Sequence, residues 1–241
     1  MFLRHVAALC YNLSQDENNN TNHNNQPLHE FDFIDGAVLW PPARGISDVF
    51  GEQVDCYSYF DESAASILRA VEDLAVYART NGPFDGVIGF SQGAVLAATL
   101  LIALANANDT APNNSNSNSD LPLALRPLLA EPPFRFAVFL CGGDPFDLAA
   151  LQEGEIRLLR ELPPGHSAWI RIPVVNCWAS NDEDYPGMGP SLSALCDSGV
   201  NEQVVHAVGH GVPTEGEDLH RLVTAVRATM ERAQHCELAQ T

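Results

Sequence analysis

A serine between two glycines is the residue of this sequence best suited to covalent chemistry. Ser91 lies in the pentapeptide GFSQG at positions 89–93, which has the G-x-S-x-G pattern. The apolar run before it predicts a strand and the Ala/Leu-rich run after it predicts a helix, the context in which this pattern lifts a nucleophilic serine above a sheet. In such a turn, bulky side chains at positions 89 and 93 would collide, and the backbone N–H of Gln92 would point at a developing oxyanion. The alternative is a tightly packed turn with a capping serine.

A nucleophilic serine needs a general base, and in this context the order along the chain is serine, acid, histidine. His210 follows an apolar run and stands between Gly209 and Gly211. Because glycines leave room for an imidazole to approach the serine, we predict that His210 is the base. His206 lies inside the same run and is predicted to be packed in the sheet, whereas His220 is predicted to lie on the solvent side of the closing helix.

The acid that orients the histidine is expected in the loop NDED, residues 181–184, which follows an apolar run ending near Trp178. Asp182 is the preferred candidate because it comes soonest after the predicted strand. Glu183 and Asp184 remain alternatives, as does an acidic loop that only contacts solvent.

The sequence offers no motif for a metal or a nucleotide cofactor. Its His, Asp, Glu and Cys residues show no ligand spacing such as H-E-x-x-H, and neither G-x-x-x-x-G-K-[ST] nor a strand-linked G-x-G-x-x-G occurs. We therefore expect no metal and no cofactor, which leaves cofactor-free acyl chemistry at the serine.

The net charge of the chain argues against two classes of binding partner. The formal net charge is −19, from 31 acidic and 12 basic residues, which argues against binding to nucleic acid or to an anionic membrane. The sequence has neither a secretory signal pattern nor an apolar run of about 18 residues, so we expect a soluble, cytoplasmic chain. Cys141 and Cys177 lie in apolar runs and are expected to be buried free thiols.

The arrangement of apolar runs predicts a single α/β domain over residues 1–241, with Asn-rich surface insertions at about 15–27 and 106–120. Because buried strands alternate with helices, we expect a doubly wound, mostly parallel sheet with helices on both faces. The predicted strands are 31–35, 84–90, 136–141, 172–178 and 203–208. The predicted helices cover 67–78, 94–107 and 219–230.

Five segments in the same order resemble the fungal serine hydrolase (FSH) family of α/β-hydrolases. They are HEFDFIDGAVLWPPARGI, YSYFDESAASILRAVEDL, GPFDGVIGFSQGAVLAATLL, FRFAVFLCGG and GHGVP, and the similarity runs from about Phe2 to Arg232. The family is similar to ovarian-tumour-suppressor-like hydrolases and to the thioesterase that releases a polyketide in lovastatin formation. The resemblance implies a Ser-His-Asp triad whose matching positions are Ser91, His210 and Asp182. It also implies a small-molecule acyl ester or a carrier-bound acyl thioester as substrate, in fungal secondary metabolism.

The sequence departs from this family at its start. Family members begin with a strand and an L-x-L-H-G-type loop whose backbone N–H completes the oxyanion hole. Here MFLRHVAALCYNL instead places Phe2, Val6, Leu9 and Leu13 on one helical face. The first strand and one oxyanion donor are therefore expected to be absent, leaving the N–H of Gln92.

Two explanations for this departure remain open. The natural protein is longer, or the truncation is genuine and yields a weakened hydrolase or a non-catalytic protein that binds a metabolite or carrier domain. A peptidase on the same scaffold is a third reading. Five apolar residues that either line an acyl pocket or belong to the core are Trp40, Phe50, Tyr59, Phe146 and Leu148.

Overall fold

Four parallel strands form the central sheet, and helices pack on both of its faces. The computed structural model describes residues 2–15, 28–41, 55–110 and 121–238. In chain order the main elements are α1 (Phe2–Leu13), β1 (Val38–Trp40), β2 (Cys56–Ser58), α2 (Ala64–Asn81), β3 (Gly86–Phe90), α3 (Gln92–Thr110), β4 (Phe136–Leu140), α4 (Leu148–Gln152), β5 (Val174–Ala179), α5 (Met188–Ser193), β6 (Asn201–His206) and α6 (Gly216–Leu238).

The strands of the sheet lie in the order β3-β4-β5-β6. Every neighbouring pair is parallel, with Gly86 opposite Phe136 at the start of the β3–β4 pair and Phe90 opposite Leu140 at its end. Parallel neighbours require long crossover connections, and here α3, α4 and α5 lie within those connections. The carboxyl ends of all four strands therefore meet at one edge, where loop residues distant in sequence come together.

Alternate residues of β4 show that helices cover both faces of the sheet. Ala137 and Phe139 belong to a core cluster with α2 and α3, while Val138 and Leu140 belong to a second cluster with α1 and α6. All five residues of the strand are buried, as expected for a strand covered on both sides. The predicted α/β-hydrolase-like, doubly wound and mostly parallel fold is confirmed.

The amphipathic pattern at the start of the chain forms the predicted helix. Val6, Leu9 and Leu13 of α1 are buried against the face of the sheet that α6 also covers. The Arg227 guanidinium, from α6, donates hydrogen bonds to the carbonyl oxygens of Asn12 (2.8 Å) and Gln15 (2.7 Å). Because the last carbonyl groups of a helix lack partners within the helix, this cation caps α1.

The strand predicted at 31–35 is wrong. Residues 31–37 do not form a strand, and a cavity of about 260 Å³ is lined by Asp32, Ile34 and Asp35 together with residues of β3. An apolar segment becomes a strand only where it forms a regular hydrogen-bonded ladder with a neighbouring backbone, and the sheet has no such ladder between residues 31–35 and β3. Within the described ranges, β3 lies at the edge of the sheet.

The other predicted elements are confirmed, with small shifts at their ends. Strand β6 begins and ends two residues earlier than the predicted 203–208. Helix α3 runs to Thr110 and so includes residues 106–110 of the predicted second insertion. The rest of both insertions, at 16–27 and 111–120, and Phe50 lie outside the described residues. The antiparallel pair β1–β2 was not predicted.

Candidate active site

Ser91 lies in a strained turn between β3 and α3. Its φ is +50°, a left-handed conformation that is uncommon for a residue with a side chain. The N–H of Ser91 donates to the Leu140 carbonyl oxygen (2.8 Å), while its own carbonyl oxygen accepts from Ala94 and Val95 N–H groups as the helix begins. The turn is therefore fixed from both sides, and it has the geometry predicted from the G-x-S-x-G pattern.

The two glycines of that pattern differ in how strictly the turn requires them. A Cβ at Gly89 would lie 2.6 Å from the backbone of Ala94, so no other residue fits without movement of the helix. A Cβ at Gly93 would lie 3.5 Å from the Tyr59 ring, which is an ordinary contact. The expected crowding thus holds at position 89, whereas at position 93 a methyl group fits.

Three side chains distant in sequence form a hydrogen-bonded chain at the carboxyl edge of the sheet. His210 Nε2 lies 2.8 Å from Ser91 Oγ, and His210 Nδ1 lies 2.7 Å from Asp182 Oδ2. The side chains of His210 and Asp182 are 15% and 10% exposed, so the pair is largely shielded from water without being sealed off. Neutral His210 with its proton on Nδ1 can accept the serine proton at Nε2.

The loop after β5 presents Asp182 with one oxygen toward the imidazole and the other held by the backbone. Asp182 Oδ1 accepts hydrogen bonds from the N–H groups of Tyr185 (3.0 Å) and Asp184 (3.2 Å). Burial pushes the pKa of Asp182 upward, but the hydrogen bonds from His210 and from this backbone outweigh it and hold the pKa below its usual value. Asp182 is therefore ionised at neutral pH, whereas the alternatives Glu183 and Asp184 are exposed and are not paired with His210.

Asn181 joins the loop of the acid to the loop of the histidine. Its Oδ1 accepts from the Gly209 N–H (3.0 Å), and its Nδ2 donates to the Ala207 carbonyl oxygen (3.1 Å). Gly209 has φ +67°, which turns the chain immediately before His210. Sequence reasoning missed this residue, because an asparagine in an acidic loop carries no signal that its amide bridges to another loop.

Two aromatic rings flank the imidazole. The ring centroid of His210 lies 5.4 Å from that of Phe90 and 4.6 Å from that of Tyr185. These ring contacts restrict rotation of the imidazole, and they complement the hydrogen bonds that set its direction. Tyr185 is 46% exposed, so it forms the solvent side of this contact. Neither ring was predicted to belong to the site.

The side chain of Gln92 anchors the turn, and its backbone N–H, predicted from the sequence to face an oxyanion, lies at the start of α3. Gln92 Oε1 accepts from Ser58 Oγ (2.8 Å) and from the Tyr59 N–H (3.0 Å). As Gln92 is the first residue of α3, its N–H belongs to the first turn, whose N–H groups have no partner within the helix. The positive end of the helix dipole points to the same place.

Two further histidines and four of the apolar candidates lie in described residues. His206 is 3% exposed at the end of β6, where burial lowers its pKa, and His220 is exposed on α6. Phe146 packs against the core, edge-on to Phe60, and Leu148 is buried, so both belong to the core rather than to an open pocket. Trp40 lies partly exposed on β1, and Tyr59 lines the cavity beside β3.

No helix within the described ranges combines the length and the hydrophobicity that crossing a bilayer requires.

Comparison with known proteins agrees with this geometry. The family model described as "Serine hydrolase (FSH1)" matches residues 2–222. Esterase FPY3 of Fusarium mangiferae is 34% identical over 186 residues, which cover 77% of this chain and 74% of the relative. Hydrolase phiM of a fungal species (strain ATCC 74256) is 27% identical over 81% of this chain and 76% of its own length.

A shorter similarity extends beyond fungi. Esterase OVCA2 of the mouse is 45% identical over 60 residues, 24% of this chain and 26% of the relative. Since the family model covers nearly the whole sequence, and the fold and the elbow at Ser91 are those expected of an α/β-hydrolase, we conclude that the chain belongs to the serine hydrolase (FSH1) family.

Proposed function

We propose that this protein is a serine esterase or thioesterase in which Ser91 is the nucleophile, His210 the general base and Asp182 the residue that orients the base. The observation that carries the proposal is the hydrogen-bonded chain from Ser91 Oγ through His210 to Asp182, with separations of 2.8 and 2.7 Å. Membership of a family of serine hydrolases supports hydrolysis as the reaction.

The reaction would proceed through an acyl-serine. His210 Nε2 takes the Ser91 proton as Oγ attacks the acyl carbonyl, and Asp182 stabilises the imidazolium that forms. The Gln92 N–H and the amino-terminal end of α3 face the developing oxyanion. His210 then protonates the leaving alcohol or thiol, and in the second half it activates the water that releases the acid.

The proposed substrate is a small-molecule acyl ester or an acyl thioester carried on a protein. Two relatives, an esterase and a hydrolase, come from fungi. On the family resemblance we place the substrate in fungal secondary metabolism, with a polyketide as one such acyl group. Both bonds present an acyl carbonyl to Ser91 and differ only in the leaving group. Neither needs a metal or a cofactor, in keeping with the sequence-based expectation.

A second function is favoured by one specific observation. Strand β3 lies at the sheet edge in the described residues, beside a cavity, and Gln92 supplies the one oxyanion donor that we name. Loss of one donor costs about 10²–10³ in rate, or about 3–4 kcal/mol. The second candidate is therefore a weakly active or non-catalytic protein that binds a metabolite or a carrier domain.

Steady-state hydrolysis separates the two functions. We would measure acid release from p-nitrophenyl esters and from matched N-acetylcysteamine thioesters of increasing acyl length, with His210→Ala as the inactive reference. Turnover that falls by at least about 10³ in His210→Ala supports the enzyme. Acyl-ligand binding to wild type, with turnover no faster than that of His210→Ala, identifies the binding protein instead.

A further inference from the structure

A cysteine lies beside the proposed triad without taking part in its hydrogen-bonded chain. Cys141 directly follows β4, and its thiol, a carboxylate oxygen of Asp182 and a ring nitrogen of His210 all lie within 4.8 Å of one another. The three residues follow three neighbouring strands, at the edge where their carboxyl ends meet. They are 41 and 28 positions apart (182 − 141 and 210 − 182), so no short ligand motif could reveal them.

The thiol is held in place beside this group by the backbone. Cys141 has φ +48°, one of two positive-φ residues other than glycine in the described residues, and its Sγ–H donates to the Gly211 carbonyl oxygen at 3.1 Å. Cys141 is 5% exposed. Burial, together with the charge of Asp182, raises the pKa of the thiol to about 11, so the free thiol is neutral and a poor nucleophile.

We propose that Cys141, Asp182 and His210 form a regulatory site for a thiophilic divalent cation, with Zn²⁺ as the best fit, and that the bound cation switches off Ser91. One sulfur, one imidazole nitrogen and one carboxylate oxygen are the donors that Zn²⁺ binds in proteins, with an open fourth position for water. Mg²⁺ and Ca²⁺ prefer all-oxygen sites and are excluded by the sulfur.

The geometry needs only a small adjustment. Tetrahedral Zn²⁺ with bonds of about 2.0–2.3 Å holds its ligand atoms about 3.3–3.8 Å apart. The ligand atoms here lie within 4.8 Å, and the nearest pair, Nδ1 and Oδ2, must separate from 2.7 Å. Shifts of about 1 Å in side chains at loop positions satisfy both requirements.

Cation binding would release one proton to solvent and would leave His210 unable to act as the general base. The thiol loses its proton to solvent as the Zn–S bond forms. The ring proton of His210 moves from Nδ1, which now binds the cation, to Nε2. The charges of Zn²⁺, thiolate and carboxylate then sum to zero, which suits a partly buried site. With a proton on Nε2, His210 donates to Ser91 Oγ and can no longer accept its proton.

Cation binding is measured first, because it does not depend on the proposed function. Isothermal titration of the full chain with ZnCl₂ should give one site, and Cys141→Ser should weaken it at least about tenfold, because a hydroxyl is a poor Zn²⁺ ligand. Cys10→Ser/Cys56→Ser, which removes two partly exposed thiols, is the matched control and should bind like wild type. The absence of a site in wild type, or equal binding in Cys141→Ser, overturns the proposal.

A spectroscopic measurement on wild type keeps the test valid if Cys141→Ser fails to fold. Co²⁺ substituted for Zn²⁺ should give a thiolate-to-metal charge-transfer absorption that Zn²⁺ displaces and Mg²⁺ does not. Bound Co²⁺ without that absorption would show that no thiolate is a ligand and would contradict the assignment.

The second part of the proposal, that the bound cation inhibits Ser91, rests on the proposed function and is measured separately. Zn²⁺ should slow the labelling of Ser91 by a fluorophosphonate at least about tenfold in wild type, EDTA should restore it, and Cys141→Ser should be insensitive. Zinc binding without inhibition in a protein that labels overturns the switch. If wild type never labels, the proposed function fails while the cation site is still decided by the titration.

Discussion

Replacing Asp182 by Asn tests how the imidazole is held, because the change alters one hydrogen bond and leaves the others in place. In Asp182→Asn the amide oxygen can still accept from the backbone N–H groups of Tyr185 and Asp184, at the present 3.0 and 3.2 Å. The amide nitrogen then faces His210 Nδ1, 2.7 Å from the present Oδ2. Since that nitrogen donates only, Nδ1 must accept, and the ring proton is forced onto Nε2.

The expected loss is large because the wrong tautomer cannot accept the serine proton. Loss of the acid by such a change costs about 10⁴ in kcat, which is about 5 kcal/mol of transition-state stabilisation. We would measure kcat for ester hydrolysis, with Asp184→Asn as the matched control, because Asp184 is exposed and two residues away. The control should stay within about twofold of wild type, since an exposed carboxylate of this kind contributes little.

The same variant carries a prediction for acid stability. The pKa of Asp182 is held below its ordinary value of 3.8, so ionised Asp182 stabilises the native state above that value, and this contribution is lost as the pH falls through the folded pKa. The difference in unfolding free energy between wild type and Asp182→Asn should therefore shrink below about pH 4.

A loss of kcat smaller than tenfold, with the fold intact by circular dichroism, would refute the assigned role of Asp182.

Three further predictions concern the residues that position the site. Gly89→Ala should lower the free energy of unfolding by at least about 2 kcal/mol in urea, because its Cβ would lie 2.6 Å from helix backbone, whereas Gly93→Ala should change it by less than about 1 kcal/mol. Asn181→Ala should lower kcat by about 10–100-fold with native circular dichroism, because both bridges between the loops are lost. Arg227→Ala should lower the unfolding free energy by about 1–3 kcal/mol, because the carbonyl oxygens of Asn12, in the last turn of α1, and Gln15, just after it, lose a charged donor.

Each of these predictions has a result that contradicts it. Equal stability of the two glycine variants would mean that the turn does not have the crowding described for position 89. Full activity of Asn181→Ala would show that the glycines around His210 hold the loop without the amide. Unchanged stability of Arg227→Ala would show that water caps the end of α1 equally well.

The sequence predicted which side chains meet at the carboxyl edge of the sheet better than it predicted their surroundings, for a physical reason. Ser91 is tied to its position by local rules of one turn, and the loops of Asp182 and His210 lie at the same edge because parallel strands all end there. The structure places all three in contact. Asn181 and Cys141 were missed as members of the site, because their contacts depend on how separate loops face each other.

In the fold too, features set by neighbouring residues are easier to predict than features that depend on residues far apart in the sequence. Helix α2 begins where Ser63 accepts a hydrogen bond from the Ser66 N–H, a contact between residues only three positions apart. The β1–β2 pair joins residues about 18 positions apart, with Leu39 opposite Tyr57, and no turn motif marks it. Residues 31–35 have the composition of a strand, yet composition alone does not bring a segment into a ladder with an adjacent strand.

The most direct test of the central claim, that His210 activates Ser91, is fluorophosphonate labelling of the 241-residue protein with the modified residue located by mass spectrometry. We predict a single adduct on Ser91 in wild type, none in Ser91→Ala and at least about 10³-fold slower labelling in His210→Ala. A folded wild-type protein that fails to label, or that labels equally fast without His210, would contradict the claim.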